Sequence, residues 1–313
     1  MKAIGVSEFG GPESLRLLEL PVPEAGAGEI RIRVSAATVN PIDAMVRQGY
    51  VFVDDAEPPY VPGMEAAGIV DQVGSGVQTG VSVGDRVSVI AVTSGTHGAY
   101  AEYLVVPADS VVLAPQGASD AQAATLAMNG LTARMALDLL AMPAHGTVAV
   151  VGAAGAVGGY AVQLAKADGL RVIADAAPKD EQLVRDLGAD IVVPRGEDFA
   201  DQVRKHAPEG VDGLVDCAGI AADAGRAVRD GGRVATSAMG ELATAERERG
   251  VTIQQTFVAA YAREHAHLER LRKLAEEDRL TLRVARTLPV EQAVEAHRLL
   301  AQGGLRGRVV LVF

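Results

Sequence analysis

Tryptophan is absent from this 313-residue chain, aromatic residues make up only 4% of it, and cysteine occurs once, at Cys217. A lone cysteine can form neither an internal disulfide nor a thiolate cluster for structural zinc. In Val215-Asp-Cys-Ala-Gly219 it reads as a small, semi-buried apolar residue at a strand end rather than a catalytic thiol. Basic residues are also short: 29 Lys and Arg against 40 Asp and Glu leave a formal charge of −11. Binding a phosphate backbone needs a basic face, so nucleic acid is not an expected partner. No window holds roughly 18 uninterrupted apolar residues, and Met1-Lys-Ala-Ile-Gly lacks the charged and apolar regions of a secretory leader. A cytoplasmic protein with no membrane attachment is the expectation.

What the chain does have is 49% apolar residues and 35 glycines, over a length that suits two domains with separate cores. Its most informative stretch runs from Gly146 to Asp175. A β-branched run with Val148, Val150 and Val151 enters a glycine turn, Gly152-Ala-Ala-Gly155-Ala-Val-Gly158. A helix-period segment follows (Val157, Ala161, Val162, Leu164, Ala165), and a second apolar run ends at Asp175. This reads as one βαβ unit. Small residues at such a turn let the backbone approach a pyrophosphate, whose charge meets the N–H groups and positive dipole of a helix start. A dinucleotide is therefore expected across Ala153, Ala154, Gly155, Ala156 and Val157, with Gly158 closing the pattern. Ala153 replaces the first glycine of G-x-G-x-x-G, which weakens the motif taken alone. The strand before it, the helix after it and Asp175 at about the expected distance restore it.

Residues 1 to about 120 show short alternating runs: 2–6, 15–20, 29–36, 68–73, 86–91, 100–106 and 111–113. Turn clusters such as Gly10-Gly-Pro12 and Gly74-Ser-Gly76 separate them, the pattern of a small, irregular β-barrel. A short helix is expected from Pro41 to Gln48, after Asn40. The period becomes helical from Ser119 to Ala141, where the domain crossover is placed. Strands are then expected at 147–152, 170–175, 190–193, 212–217, 232–237 and 251–258, with helices between them, which implies a six-stranded, doubly wound parallel sheet of the Rossmann type. The tail, a charged helix 263–278, a strand 282–288, a helix 290–302 and a strand 307–312, has too little apolar surface to stand alone. The expected division is 1–120, 121–259 for the dinucleotide-binding domain, and 260–313 returning to the first domain.

Taken in order, Gly10-Gly-Pro12, Ala37-Thr-Val-Asn40-Pro-Ile-Asp43, Pro62-Gly63-Met64-Glu65-Ala-Ala-Gly68, Gly84-Asp85-Arg86-Val87, the glycine turn, Leu187-Gly188-Ala-Asp190 and Arg306-Gly307-Arg308 give the chain a family likeness. It resembles the medium-chain dehydrogenase/reductase superfamily, in its zinc-free quinone oxidoreductase (zeta-crystallin-like) branch, nearly end to end. The resemblance implies that the first domain is GroES-like. It also implies where zinc-dependent relatives hold their metal: a cysteine near Asn40, a histidine at Met64 and a cysteine near Met128 or Asn129. Only Glu65 of the ligand set is retained, so no metal is expected.

Without a Lewis acid, the resemblance implies hydride transfer from NAD(P)H to an already activated acceptor, a quinone or an α,β-unsaturated carbonyl. Asn40 and Asn129 are the candidate donors toward the developing oxyanion, with Tyr50 a further candidate. Asn40 reads equally as a turn residue before Pro41, and Asp43 reads as a helix-start residue before it reads as a base. By position in the family, Thr132, Cys217, Ala218, Ser237, Met239, Gly240, Phe257, Val258 and Arg308 are further cofactor contacts; Arg308 reads as well as a solvated surface residue.

The branch usually takes NADPH, yet Asp175 falls where an acidic residue binds both ribose hydroxyls of NADH. A carboxylate about 4 Å from a 2′-phosphate costs roughly 4 kcal/mol at an effective dielectric near 20. Lys179 could offset that, and Asp175 could instead cap the turn Ala176-Ala-Pro178; the reading leans to NADH. The alternatives are a dedicated enoyl or enone reductase of secondary metabolism and a non-catalytic NAD(P)H-binding sensor. The resemblance also implies a homodimer formed through the sheet edge at Val251 to Val258.

Overall fold

The computed structural model describes residues 1–53, 56–196, 198–238 and 241–313. Lys2–Gly5 (β1) and Arg16–Glu19 (β2) pair as an antiparallel ribbon. In Glu29–Val39 (β3) the apolar residues Ile30, Ile32 and Val34 are buried while Glu29, Arg31, Arg33 and Ser35 between them are not, the alternation of a half-buried strand; from Ala36 to Val39 every residue is buried. Pro41–Gln48 (α1) starts directly after it, with Pro41 in the first turn and Gly49 at φ 79° ending the helix in the left-handed region. Glu65–Val73 (β4), Arg86–Ile90 (β5), Tyr103–Pro107 (β6) and Val111–Leu113 (β7) follow.

The helical stretch after Ser119 is interrupted. Asp120–Ala123 (α2) is a single turn capped by Ser119, whose Oγ accepts from Gln122 N, and Ala127–Leu140 (α3) begins afresh. Strands and helices then alternate: Thr147–Val151 (β8), Ala156–Ala167 (α4), Arg171–Ala176 (β9), Glu181–Asp186 (α5), Ile191–Pro194 (β10), Phe199–His206 (α6), Val211–Asp216 (β11), Ala221–Ala224 (α7), Val228–Thr236 (β12), Thr244–Glu248 (α8) and Thr252–Gln255 (β13). The tail contributes His265–Glu276 (α9), Val284–Pro289 (β14), Ala293–Gln302 (α10) and Arg308–Val312 (β15).

Two compact units result. One comprises Met1–Met128, Ala259–Asp278 and Leu282–Phe313, the other Asn129–Val258 and Arg279–Thr281. In the first, β3 pairs with β4 along one edge; along the other its start pairs with β6 and its end with β15, so the tail is woven into the sheet that the N-terminal strands build. The order β14-β15-β3-β4-β5-β7 encloses a core that includes Ile30, Ile32, Tyr100, Leu104 and Val309.

In the second unit all six strands run parallel in the order β10-β9-β8-β11-β12-β13, the doubly wound arrangement expected. The chain changes direction across the sheet beside β8, so the carboxyl end of β8 is the switch point where such sheets bind ligands. β13 is shorter than the expected strand 251–258: its last residue, Gln255, pairs with Thr236, the last residue of β12, and Val258 already belongs to a 3₁₀ turn.

The turn leaving β8 is sterically full. Gly152 sits at φ +76°, and a Cβ on Gly158 would lie 2.3 Å from Gly152 O and 2.9 Å from Ala153 Cα. Gly158 is therefore required for α4 to approach β8. Gly158→Ala is expected to destabilise the protein by about 1–3 kcal/mol in urea unfolding; an unchanged midpoint and slope would show that the turn tolerates a methyl group.

Candidate functional site

In the second unit, Ala153 and Ala154 are fully buried and Gly155, in extended conformation, is the N-cap of α4. Gly155 N donates to Gly152 O at 2.9 Å, closing the turn. The N–H groups of Ala156, Val157 and Gly158 lie in the first helical turn, where no intrahelical carbonyl can reach them. They form a cluster of donors at the positive end of a 12-residue helix.

Asp175 does not cap the turn after its own strand. Its side chain is 3% exposed; Oδ1 accepts from Gly152 N at 2.7 Å and Ala153 N at 3.0 Å, and Oδ2 accepts from Arg195 Nε at 2.6 Å. The carboxylate thus holds the glycine turn in place, and the N–H of Ala153 is already engaged. Asp175 and Arg195 border a cavity of about 270 Å³ whose apolar wall includes Val151, Phe199, Ala200 and Ile220. Sequence reasoning missed Arg195, because an arginine in Pro194-Arg-Gly196 has the appearance of a solvated turn. It also missed Asp216, whose Oδ1 accepts from Ala218 N and Gly219 N at 2.9 Å each.

The other family-derived positions are dispersed over this unit. Asn129 and Thr132 are buried on α3. Lys179 is exposed in a 3₁₀ turn, Cys217 is half-buried at the end of β11, and Ser237 is exposed, with its N–H donating to Asp216 O at 3.0 Å. Phe257 is 54% exposed and Val258 is buried. Met239 and Gly240 lie outside the described residues.

In the first unit, Asn40, Asp43 and Glu65 are completely buried. Thr38 Oγ1 donates to Glu65 Oε1 at 2.6 Å, so Thr38 must accept from Asn40 Nδ2, at 2.8 Å; Nδ2 also approaches Glu65 Oε1 at 3.5 Å. This fixes the amide with its N–H groups turned into the network and leaves Asn40 Oδ1 as a buried acceptor without a partner. Glu65 Oε2 accepts from Met128 N at 2.8 Å, capping the start of α3. Burial pushes the Glu65 carboxyl above its ordinary range, against the pull of Thr38 and Arg308. Tyr50, in contrast, is 72% exposed and takes no part in this cluster.

Asp43 accepts from Asn40 N at 2.7 Å and Gly63 N at 3.0 Å, which suits a helix-start residue. Its carboxyl is pushed up to about 7, chiefly by burial. Tyr100 Oη lies 3.4 Å from Asp43 Oδ2 and 3.3 Å from His297 Nε2, with the His297 ring edge-on to Tyr100. The charge of Arg308 acts on this cluster, lowering the pKa values of Asp43, Glu65 and Tyr100.

Comparison with known proteins gives matches over most of the chain. A family described as the alcohol dehydrogenase GroES-like domain matches residues 26–116, and one described as zinc-binding dehydrogenase matches residues 187–311. A chloroplastic NADPH-dependent alkenal/one oxidoreductase of Arabidopsis thaliana is 34% identical over 241 residues, which span 75% of this chain but only 61% of that protein's length. Among solved structures, an NAD-dependent alcohol dehydrogenase superimposes with a TM-score of 0.89 at 32% identity, each chain covering 100% of the other. A quinone oxidoreductase from Coxiella burnetii gives 0.85 at 30% identity, over 100% of this chain and 99% of its own.

The buried pair Asp43 and His297 makes a pH test possible. Burial, with the charge of Arg47, lowers His297 to about 3 from 6.5. The unfolded chain therefore takes up a proton that the folded one refuses, and this stability is lost as pH falls from 6.5 toward 3. Asp43, raised from 3.8 to about 7, acts oppositely: its contribution is complete below pH 3.8 and is lost as pH rises through 7. Between about pH 4 and 6.5 the two slopes offset. In His297→Gln the Asp43 slope is unopposed, so the variant's stability relative to wild type should fall with rising pH by up to about 1.4 kcal/mol per unit. Urea unfolding at several pH values measures this difference, and parallel curves would contradict it.

Proposed function

Because the chain belongs to the medium-chain dehydrogenase/reductase superfamily, we propose that it is a metal-independent, NAD(P)H-dependent reductase of quinones or α,β-unsaturated carbonyls. The observation that carries this reading is the turn from Gly152 to Gly158, with three N–H donors at the tip of α4 and an apolar cavity beside Asp175. That arrangement suits a pyrophosphate with an adenosine at one end. The bound cofactor would supply the hydride. The chain's own part is to fix the cofactor's phosphates at the helix tip and to hold a rigid polar group, the Asn40–Thr38–Glu65 network, in the other unit.

The family's catalytic zinc does not fit these residues. Where relatives place cysteine and histidine ligands, this chain has Asn40 and a buried Met64, and both oxygens of Glu65 already accept hydrogen bonds. No group of three or more His, Cys, Asp or Glu side chains suited to a metal ion occurs among the described residues. An acceptor that needs no Lewis acid follows from this donor set, and the alkenal/one and quinone oxidoreductases among the similar proteins support it. A homodimer in the cytoplasm completes the proposal; the dimer reading is supported by β13, which among the described residues pairs on one side only and exposes Thr252, Gln254 and Gln255. No helix among the described residues is long and apolar enough to cross a membrane.

The test mixes purified protein, dialysed against a chelator, with NADPH or NADH and benzoquinone, phenanthrenequinone or a simple enone. Oxidation of the reduced nicotinamide is expected to survive chelation. Gly155→Asp puts a carboxylate at the helix tip and should reduce cofactor affinity by at least about tenfold. Failure of every acceptor with both cofactors, or loss of turnover on chelation, would refute the proposal.

A further inference from the structure

We infer that Arg195, rather than Asp175, sets the nucleotide preference, and that it selects a ribose bearing a 2′-phosphate. The inference rests on the NAD(P)H reading above and adds the residue that discriminates.

An aspartate at the end of the second strand of such a sheet selects the unphosphorylated ribose when its carboxylate is open to accept from both hydroxyls. Asp175 is not in that condition. Three donors, Gly152 N, Ala153 N and Arg195 Nε, already occupy its two oxygens, of about four lone-pair directions in all. Its side chain is 3% exposed. The charge that would repel a phosphate is therefore buried behind two backbone N–H groups and met by a guanidinium 2.6 Å away.

Arg195 is in the reverse position. Its side chain is 44% exposed, and only Nε has a partner, so the four N–H bonds of its two terminal nitrogens are open among the described residues. Asp175 holds the guanidinium by one corner and leaves its planar fork presented, the geometry that takes two phosphate oxygens at once. The residue borders the same cavity as Val151, at the end of β8, and Phe199. At about 270 Å³, this space is smaller than the roughly 300–1,000 Å³ of a site for a whole ligand. It suits the adenosine end of a dinucleotide whose phosphates continue over the glycine turn. Among the described residues, the remaining carboxylate on the cavity lining, Asp223, is solvent-exposed, where its repulsion is screened.

Calorimetry on the full chain with NADPH and NADH tests this without any acceptor. Wild type should bind NADPH at least about tenfold more tightly than NADH, and added salt should narrow the gap. Arg195→Ala should weaken NADPH by about tenfold or more while NADH stays within about threefold, and Arg195→Lys should retain part of the preference. Asp175→Asn, which loosens the turn itself, should weaken both nucleotides. Equal losses for both nucleotides in Arg195→Ala, equal or reversed affinities in wild type, or removal of the preference by Lys179→Ala alone would overturn the inference and leave the oxidoreductase reading standing. Absence of binding by either nucleotide would overturn both.

Discussion

A buried carboxylate must be surrounded by donors, and in this protein those donors are mostly backbone N–H groups of the segments that follow strands. Asp175 draws in the N–H groups of Gly152 and Ala153, and Asp216 those of Ala218 and Gly219. Asp43 holds Asn40 and Gly63, and Glu65 holds Met128. Asp175, Asp216 and Glu65 sit at or next to strand ends and Asp43 in the first turn of α1, and each satisfies backbone N–H groups that would otherwise be orphaned in the interior. The excess of acidic residues is thus partly internal: four of them fasten neighbouring backbone segments.

The same constraint gives each unit a polar cluster fastened from within. In the unit built on the parallel sheet, Asp175 clamps the N–H groups of Gly152 and Ala153, and the close approach of Gly158 to Gly152 packs the start of α4 against the turn. In the GroES-like unit, Glu65 organises Thr38, Asn40 and the start of α3. Asn40 enters that network through its amide hydrogens, so its distinctive feature is the unpaired Oδ1 rather than a free donor.

The sequence makes the fold legible where the signal is local. The period of two in β3, the Asn40-Pro41 helix start and the β8–turn–α4 pattern are each contained in about a dozen neighbours, and each forms as expected. The partners of a buried charge are not local. Asp175 is followed 20 residues later by Arg195 and preceded by 22 and 23 residues by the N–H groups it accepts from, spacings without periodicity. Likewise nothing near His297 announces that it meets Tyr100, 197 residues away. Nor does the sequence announce that Tyr50, an aromatic hydroxyl near the motif residues, is left on the surface once the chain has turned at Gly49. Continuous helical periodicity likewise hides the break between α2 and α3, where Thr125 N bonds Gln122 O and Leu126 N bonds Ala123 O in a tighter turn.

The central claim is that a reduced nicotinamide dinucleotide seats its phosphates on the tip of α4 against a turn already locked by Asp175. Amide hydrogen exchange with and without NADPH tests it at the residues concerned. The N–H groups of Gly152 and Ala153 should be protected in both states, and those of Ala156, Val157 and Gly158 should gain protection only when the nucleotide is present. Unchanged exchange at Ala156 to Gly158 with saturating nucleotide, or fast exchange at Gly152 and Ala153 in its absence, would contradict the account.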